Sequence, residues 1–228
     1  MKDNLKIGIL SVQGDIEENF NAVKEALKQL DITGEIINVK EYNEMQNIDG
    51  LIIPGGESTV ISTLISLKHS IWELLKNKIN EGLPVMGTCA GLIILSKRAQ
   101  DKTIGKTKQK LLESLDITVE RNAFGRQHES FETDLDIPII GEKPFRAIFI
   151  RGPIVKEIGK DVEILAKYND EIVAVKQENL IGTSFHPELT EDIRLHSYFI
   201  KTILKELKNM SISPAKKIMP ETHKKMEQ

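Results

Sequence analysis

A single cysteine, Cys89, stands in the run Gly87-Thr88-Cys89-Ala90-Gly91, directly after the apolar stretch Leu83-Pro84-Val85-Met86 and before Leu92-Ile93-Ile94-Leu95. A short buried strand, a tight turn with glycine at both ends and a helical run make the layout of a nucleophile elbow. Such a turn holds a reactive side chain above the carboxyl edge of a sheet, and glycines flank it because neighbouring Cβ atoms would clash. Outside such a setting a lone cysteine is usually a small buried hydrophobe. Here its place between two glycines at a strand-to-helix junction favours a nucleophile.

A cysteine nucleophile needs a base, and the base needs an orienting acid. The tripeptide His186-Pro187-Glu188 follows the apolar strand Ile181-Gly182-Thr183-Ser184-Phe185. Residues i and i+2 of an extended segment face the same side, and Pro187 biases His186 toward extended geometry. Imidazole and carboxylate are then presented together, Glu188 on one ring nitrogen and the other facing Cys89. Taken alone, the tripeptide fits equally well a strand end capped by His186, with Glu188 opening a solvated turn. The elbow upstream favours the catalytic arrangement.

A second loop, Pro54-Gly55-Gly56-Glu57-Ser58-Thr59, also lies between an apolar strand and a helical stretch. Glycine amides at a helix N-terminus can approach an anion closely. An oxyanion hole formed by the amides of Gly56 and Ala90 suits acyl transfer. The plainer reading is a strand-to-helix turn capped by Ser58. His69, His196 and His223 are expected to be solvated, and His128, beside Arg126, to lie at the surface.

These residues require a scaffold that brings strand ends together. The apolar runs Ile7 to Leu10, Glu35 to Val39, Leu51 to Ile53 and Leu83 to Met86 read as strands. Between them, Ile16, Phe20, Val23, Leu27 and Leu30 form a helical stripe that Asp15 can cap, and Thr59 to Ile79 reads as a helical stretch. Apolar strands alternating with helices predict a parallel sheet covered on both faces. Beyond residue 114 short strands dominate: Ile117 to Glu120, Glu129 to Thr133, Phe145 to Ile150, Val162 to Ala166, Ile172 to Lys176 and Leu180 to Phe185. Several of them are expected as antiparallel additions to the sheet or a small side sheet, before a last helix over Glu191 to Lys208. The fold class expected is therefore α/β, a single-domain three-layer sandwich over 1–208. The lysine-rich segment Asp101 to Lys110 reads as an exposed loop, and 209–228 as a poorly ordered tail.

The chain has 228 residues and a formal net charge of −3, which supplies no basic footprint for nucleic acid. No apolar run approaches the ~20 residues that span a bilayer, and the N-terminus lacks a signal-peptide core. A lone thiol suits a reducing cytoplasm. Metal-ligand spacings and dinucleotide or Walker glycine patterns are absent, so neither a metal nor a cofactor is expected.

Cys89, His186 and Glu188, in that chain order, resemble the class I glutamine amidotransferases. Five blocks sharpen the resemblance: Pro54 to Thr59, Gly87 to Ile93, Arg121 to Gln127, Phe149 to Pro153 and Ser184 to Thr190. Together they are similar to the glutaminase subunits of pyridoxal 5'-phosphate synthases, from about residue 6 to 208. The resemblance implies hydrolysis of L-glutamine to glutamate and ammonia by a triad of Cys89, His186 and Glu188. It implies a glutamine pocket of Gly56, Glu57, Ser58, Arg121, Ile150 and Arg151, with a guanidinium gripping the substrate carboxylate. It also implies a partner, the synthase subunit, a barrel enzyme forming a large ring that meets the face around Gln13-Gly14 and receives the ammonia. Pyridoxal phosphate itself would not be held by this chain. Ser11, the lysine-rich segment and the length of the tail depart from the family pattern. The alternatives are the glutaminase subunit of another amidotransferase, such as imidazole glycerol phosphate synthase, or a glutamine-binding regulatory module without catalysis. The Arg121 to Gln127 block argues against the former, and the intact triad against the latter.

Overall fold

The computed structural model describes residues 4–101, 105–106, 109–121, 123 and 130–212. His128, His223, most of the Arg121 to Gln127 block and the tail from 213 onward lie outside them.

The apolar runs form the strands that the alternation predicts. Strand β1 (Leu5–Leu10) is followed by helix α1 (Ile16–Gln29), β2 (Gly34–Val39), a short α2 (Tyr42–Gln46), β3 (Gly50–Ile53), α3 (Ser58–Leu67), α4 (His69–Asn80), β4 (Val85–Thr88) and α5 (Ala90–Leu95). Then come β5 (Ser96–Asp101), β6 (Gly105–Lys106), β7 (Leu115–Arg121), β8 (Ser130–Leu135), β9 (Phe145–Ile150), β10 (Ile154–Ile158), β11 (Glu163–Tyr168), β12 (Glu171–Gln177), β13 (Leu180–Thr183) and α6 (Arg194–Ile212). The main sheet has the order β2-β1-β3-β4-β13-β12-β10-β7-β5-β6, with β11 beside β12, while β8 and β9 pair separately.

The first five strands in that order are mutually parallel. Antiparallel pairing begins where β12 joins β13. Alternating side chains divide the interior into two cores. Ile7, Ile9, Ile52 and Met86 pack with Val23, Ala26 and Leu27 of α1 and Phe199 and Ile203 of α6. Leu10, Leu51, Ile53 and Val85 pack on the other face with Ile61, Ile65, Trp72 and Leu75. Helices thus cover both faces of the parallel half, which is why its strands are apolar throughout.

Three expectations change. The stretch from Thr59 to Ile79 is two helices, broken at Lys68 (φ −90°, ψ 72°). One continuous helix would carry Lys68 onto the phase of the buried Ile61, Ile65 and Trp72, and the break leaves it exposed. The lysine-rich segment is no simple loop. Its first residue ends β5, Gly105–Lys106 pairs with that strand, and Gln109 grips Ser58 through Nε2 to the Ser58 carbonyl at 2.9 Å. The last helix begins at Arg194 and runs to Ile212, past the expected bound at Lys208.

Candidate active site

The carboxyl ends of β1, β3, β4 and β13 meet at one edge of the sheet, where open parallel sheets place their ligands. Cys89 follows β4 with φ 48° and ψ −96°, a conformation disfavoured for a residue with a Cβ and costing about 1–3 kcal/mol. Its N–H donates to the Thr183 carbonyl at 2.8 Å, and its carbonyl accepts from Ile93 N–H at 3.4 Å. The flanking glycines serve close approach. A Cβ on Gly87 would lie 2.6 Å from the Gly91 carbonyl carbon, and one on Gly91 would lie 2.1 Å from the Ile53 carbonyl oxygen. The elbow is therefore clamped between β3, β4 and β13.

His186 follows β13 and is buried. The extended geometry expected for His186-Pro187-Glu188 is replaced by a 3-10 turn over Pro187–Leu189, with Pro187 at its first position. The turn still brings Glu188 Oε1 to 3.0 Å from His186 Nδ1. Thr88 Oγ1, next to the cysteine, donates to the same Glu188 oxygen at 3.3 Å. A second carboxylate, Asp15 Oδ2, also lies 3.0 Å from Nδ1. With Nδ1 so engaged, Nε2 is the nitrogen left for the cysteine sulfur. Burial opposes the imidazolium, but the Asp15 and Glu188 carboxylates at Nδ1 and the charge of nearby Cys89 outweigh it and push His186 up to about 12.

Cys89 and His186 open into a cavity of about 270 Å³. Gly56, Glu57, Ser58, Ala90, Arg121, Ile150 and Arg151 all line it, so every expected pocket and oxyanion residue reaches the same space. Glu188 lies behind the imidazole, away from the cavity. The Ala90 amide, first in its helix, has no carbonyl one turn back to accept it. Gly56, at φ 145°, occupies backbone space that suits glycine. Arg121 Nη2 pairs with Glu57 Oε1 at 3.3 Å. Among the described residues, no carboxylate lies in ion-pair range of Arg151. Ser58 does not cap α3: Glu57 does, its side chain accepting from Thr59 N–H at 3.4 Å. Ser58 instead bonds Gln109 Oε1 at 3.1 Å.

Ile93 of α5 lines the pocket without having been expected there, and so do Gln13 and Asp15. The signal for the latter two was their place just after β1, whose end neighbours β3. Asp15, His186 and Glu188 also offer ligand atoms within 4.8 Å of one another. Both carboxylates, however, bond one ring nitrogen, so their geometry serves the imidazole. His196, expected to be solvated, is fully buried on α6, and desolvation pushes it down to about 4. His69 is exposed, as expected. No helix among the described residues is long and apolar enough to cross a membrane.

A glycine-framed cysteine at a strand-to-helix turn of a parallel sheet, facing a histidine held by two carboxylates, has the layout expected of a class I glutamine amidotransferase. The chain belongs to the SNO glutamine amidotransferase family, whose profile matches residues 9–205. It is 46% identical over 203 residues to the pyridoxal 5'-phosphate synthase subunit PdxT of Nitrosopumilus maritimus, covering 89% of this chain and 98% of that protein. It is 50% identical over 199 residues to the protein of the same name from Thermotoga petrophila, covering 87% and 100%. A solved structure described as a glutamine amidotransferase superposes with TM-score 0.74 at 42% identity, covering 86% of this chain and 98% of that one. Another from Thermotoga maritima, at 14% identity and TM-score 0.56, covers 92% and 86% and shares the fold.

Proposed function

We propose that this chain is the glutaminase subunit of a pyridoxal 5'-phosphate synthase, hydrolysing L-glutamine to L-glutamate and supplying the ammonia to a synthase subunit. The observation that carries this reading is the convergence of Cys89, His186 and the lining residues on one cavity, in a chain close in sequence to the PdxT proteins.

Cys89 Sγ, as the thiolate, attacks the side-chain carboxamide carbon of glutamine. The amides of Gly56 and Ala90 stabilise the oxyanion of the tetrahedral intermediate. His186 gives the proton on Nε2 to the departing nitrogen, which leaves as ammonia, and a glutamyl thioester remains. His186 then takes a proton from water, whose oxygen attacks the thioester carbon, and the returning thiolate releases glutamate. Glu188 holds the ring through Nδ1 during both steps. The substrate α-carboxylate is placed by Arg151 or Arg121, and Glu57 offers an acceptor for the α-amino group. Ammonia released into water would be protonated and lose its nucleophilicity, so a docked partner that excludes water fits the product. That partner is the synthase subunit, in a cytoplasmic setting.

Co-purification with a candidate synthase followed by a glutamine-dependent assay for pyridoxal phosphate tests the whole reading. Turnover is expected to be weak for the chain alone, to rise with the partner and to vanish in Cys89→Ala. Undiminished glutamate release by Cys89→Ala overturns the mechanism.

A further inference from the structure

Asp15 stands at the N-cap of α1, where an aspartate ordinarily accepts a hydrogen bond from the first helical turn. Its side chain makes no such bond. The helix start is secured otherwise, with Asn19 Nδ2 donating to the Asp15 carbonyl at 2.7 Å. The carboxylate turns instead to His186, 3.0 Å from Nδ1 and matching the Glu188 distance.

This placement is built into the backbone. Gly14, at φ 110°, packs so closely on the neighbouring loop that a Cβ would lie 1.8 Å from the Gly55 carbonyl oxygen. Asp15 N–H donates to that same oxygen at 3.1 Å, and Gln13 Oε1 accepts from Glu57 N–H at 2.9 Å. A Cβ on Gly55 would lie 2.3 Å from His186 Cε1 and 2.6 Å from Asp15 Oδ2. Glycine at position 55 is thus what lets the acid and the imidazole meet.

We propose that Asp15 is a second acid of the Cys89–His186 pair, a positioning residue that shares the Nδ1–H of His186 with Glu188 and biases the pair toward thiolate and imidazolium. The two carboxylates differ in access. Glu188 has a fully buried side chain, whereas that of Asp15 is one-third exposed and lines the cavity. In the biased state the Cys89 proton resides on His186 Nε2, and the positive charge of the ring is shared with two anions. The titratable groups against the ring are Asp15 from the β1–α1 loop, Glu188 from the turn after β13 and Cys89 from the elbow. Glu57, Arg121 and Arg151 are the charged residues of the surrounding cavity. The inference rests on the reading of Cys89 as the nucleophile.

Cys89 is the chain's only cysteine, so alkylation of the intact protein by iodoacetamide, followed by mass, reports the thiolate directly. Wild type and Asp15→Asn are compared from pH 5 to 10, with circular dichroism and thermal midpoints as the check on folding. In Asp15→Asn the midpoint of the rate profile is expected about one pH unit higher, making alkylation about tenfold slower on the acid limb with the same plateau. Asp15→Ser, whose hydroxyl can cap α1 but is too short to reach Nδ1, is expected to show the same displacement. It serves as the second variant should the first fail to fold. Profiles that superimpose on wild type in a folded variant overturn the proposal. That outcome would leave the glutaminase reading standing, because loss of turnover in Cys89→Ala is a separate measurement.

Discussion

Two carboxylates reach one ring nitrogen of His186, and this sharing governs what a single substitution can do. In a three-residue triad, exchanging the acid for its amide costs about 10⁴ in kcat, because the imidazole loses its tautomer and its counter-charge. Here Asp15 remains on Nδ1 when Glu188 is changed. Glu188→Gln is therefore expected to lose only about 10²-fold in kcat, and the double variant with Asp15→Asn to fall further, toward His186→Asn. Steady-state glutamate release from the partner-bound chain checks this, and equal losses in single and double variants would contradict it. In the proposed glutamine pocket the two arginines differ. Arg121 already shares its charge with Glu57, while Arg151 is exposed at the rim. A charged hydrogen bond is worth about 1.5–3 kcal/mol, so Arg151→Ala should raise KM roughly 10- to 100-fold with kcat little changed. Cys89, His186 and Glu188 could be singled out from sequence because glycine framing and a His-Pro-Glu tripeptide are local signals. Asp15 could not: an aspartate ahead of an amphipathic helix reads as its cap, and no spacing rule joins it to a residue at the far end of the chain.

The elements that hold these residues were legible in proportion to how local their cause is. Strands β1, β3 and β4 and helix α1 follow from apolar runs and helical stripes, and each falls within a few residues of its expected bounds. The break at Lys68 was missed because no glycine or proline marks it, although Lys68 and His69 interrupt the apolar phase. The grip of Gln109 on Ser58 was also invisible, since a lysine-rich segment gives no hint that its end packs beside the pocket. That contact has a consequence. Gln109→Ala removes two hydrogen bonds of about 1 kcal/mol each from Ser58, so KM for glutamine should rise several-fold while the melting temperature moves little. At the elbow, packing dominates. Gly91→Ala places a Cβ against the Ile53 carbonyl oxygen and should destabilise the chain by about 1–3 kcal/mol in urea unfolding, with loss of turnover.

At the scale of the whole molecule, two buried histidines stand in opposite electrostatic settings. His186 is held charged by Asp15 and Glu188, so its contribution to stability is full below the ordinary 6.5 and is lost as pH rises above it, a slope opposite to that of His196 and common to wild type and variant. His196 has no side-chain hydrogen-bond partner for either ring nitrogen among the described residues, and desolvation pushes it down to about 4. Between that value and the ordinary 6.5, the unfolded chain binds a proton at His196 that the folded chain does not. Stability must then rise with pH across this window and fall as acid is added, by up to about 1.4 kcal/mol per pH unit. Between pH 7.5 and pH 5 the loss from this one residue comes to about 2 kcal/mol. The lowered carboxyls, Asp192 and Glu44, also favour the folded chain at higher pH, but they are common to wild type and variant and cancel in the comparison. Urea unfolding of wild type and His196→Leu at pH 7.5 and 5.0 isolates the effect. The variant should lose about 2 kcal/mol less than wild type on acidification, whatever its stability at neutral pH. An equal loss in both would place the acid sensitivity elsewhere in the fold.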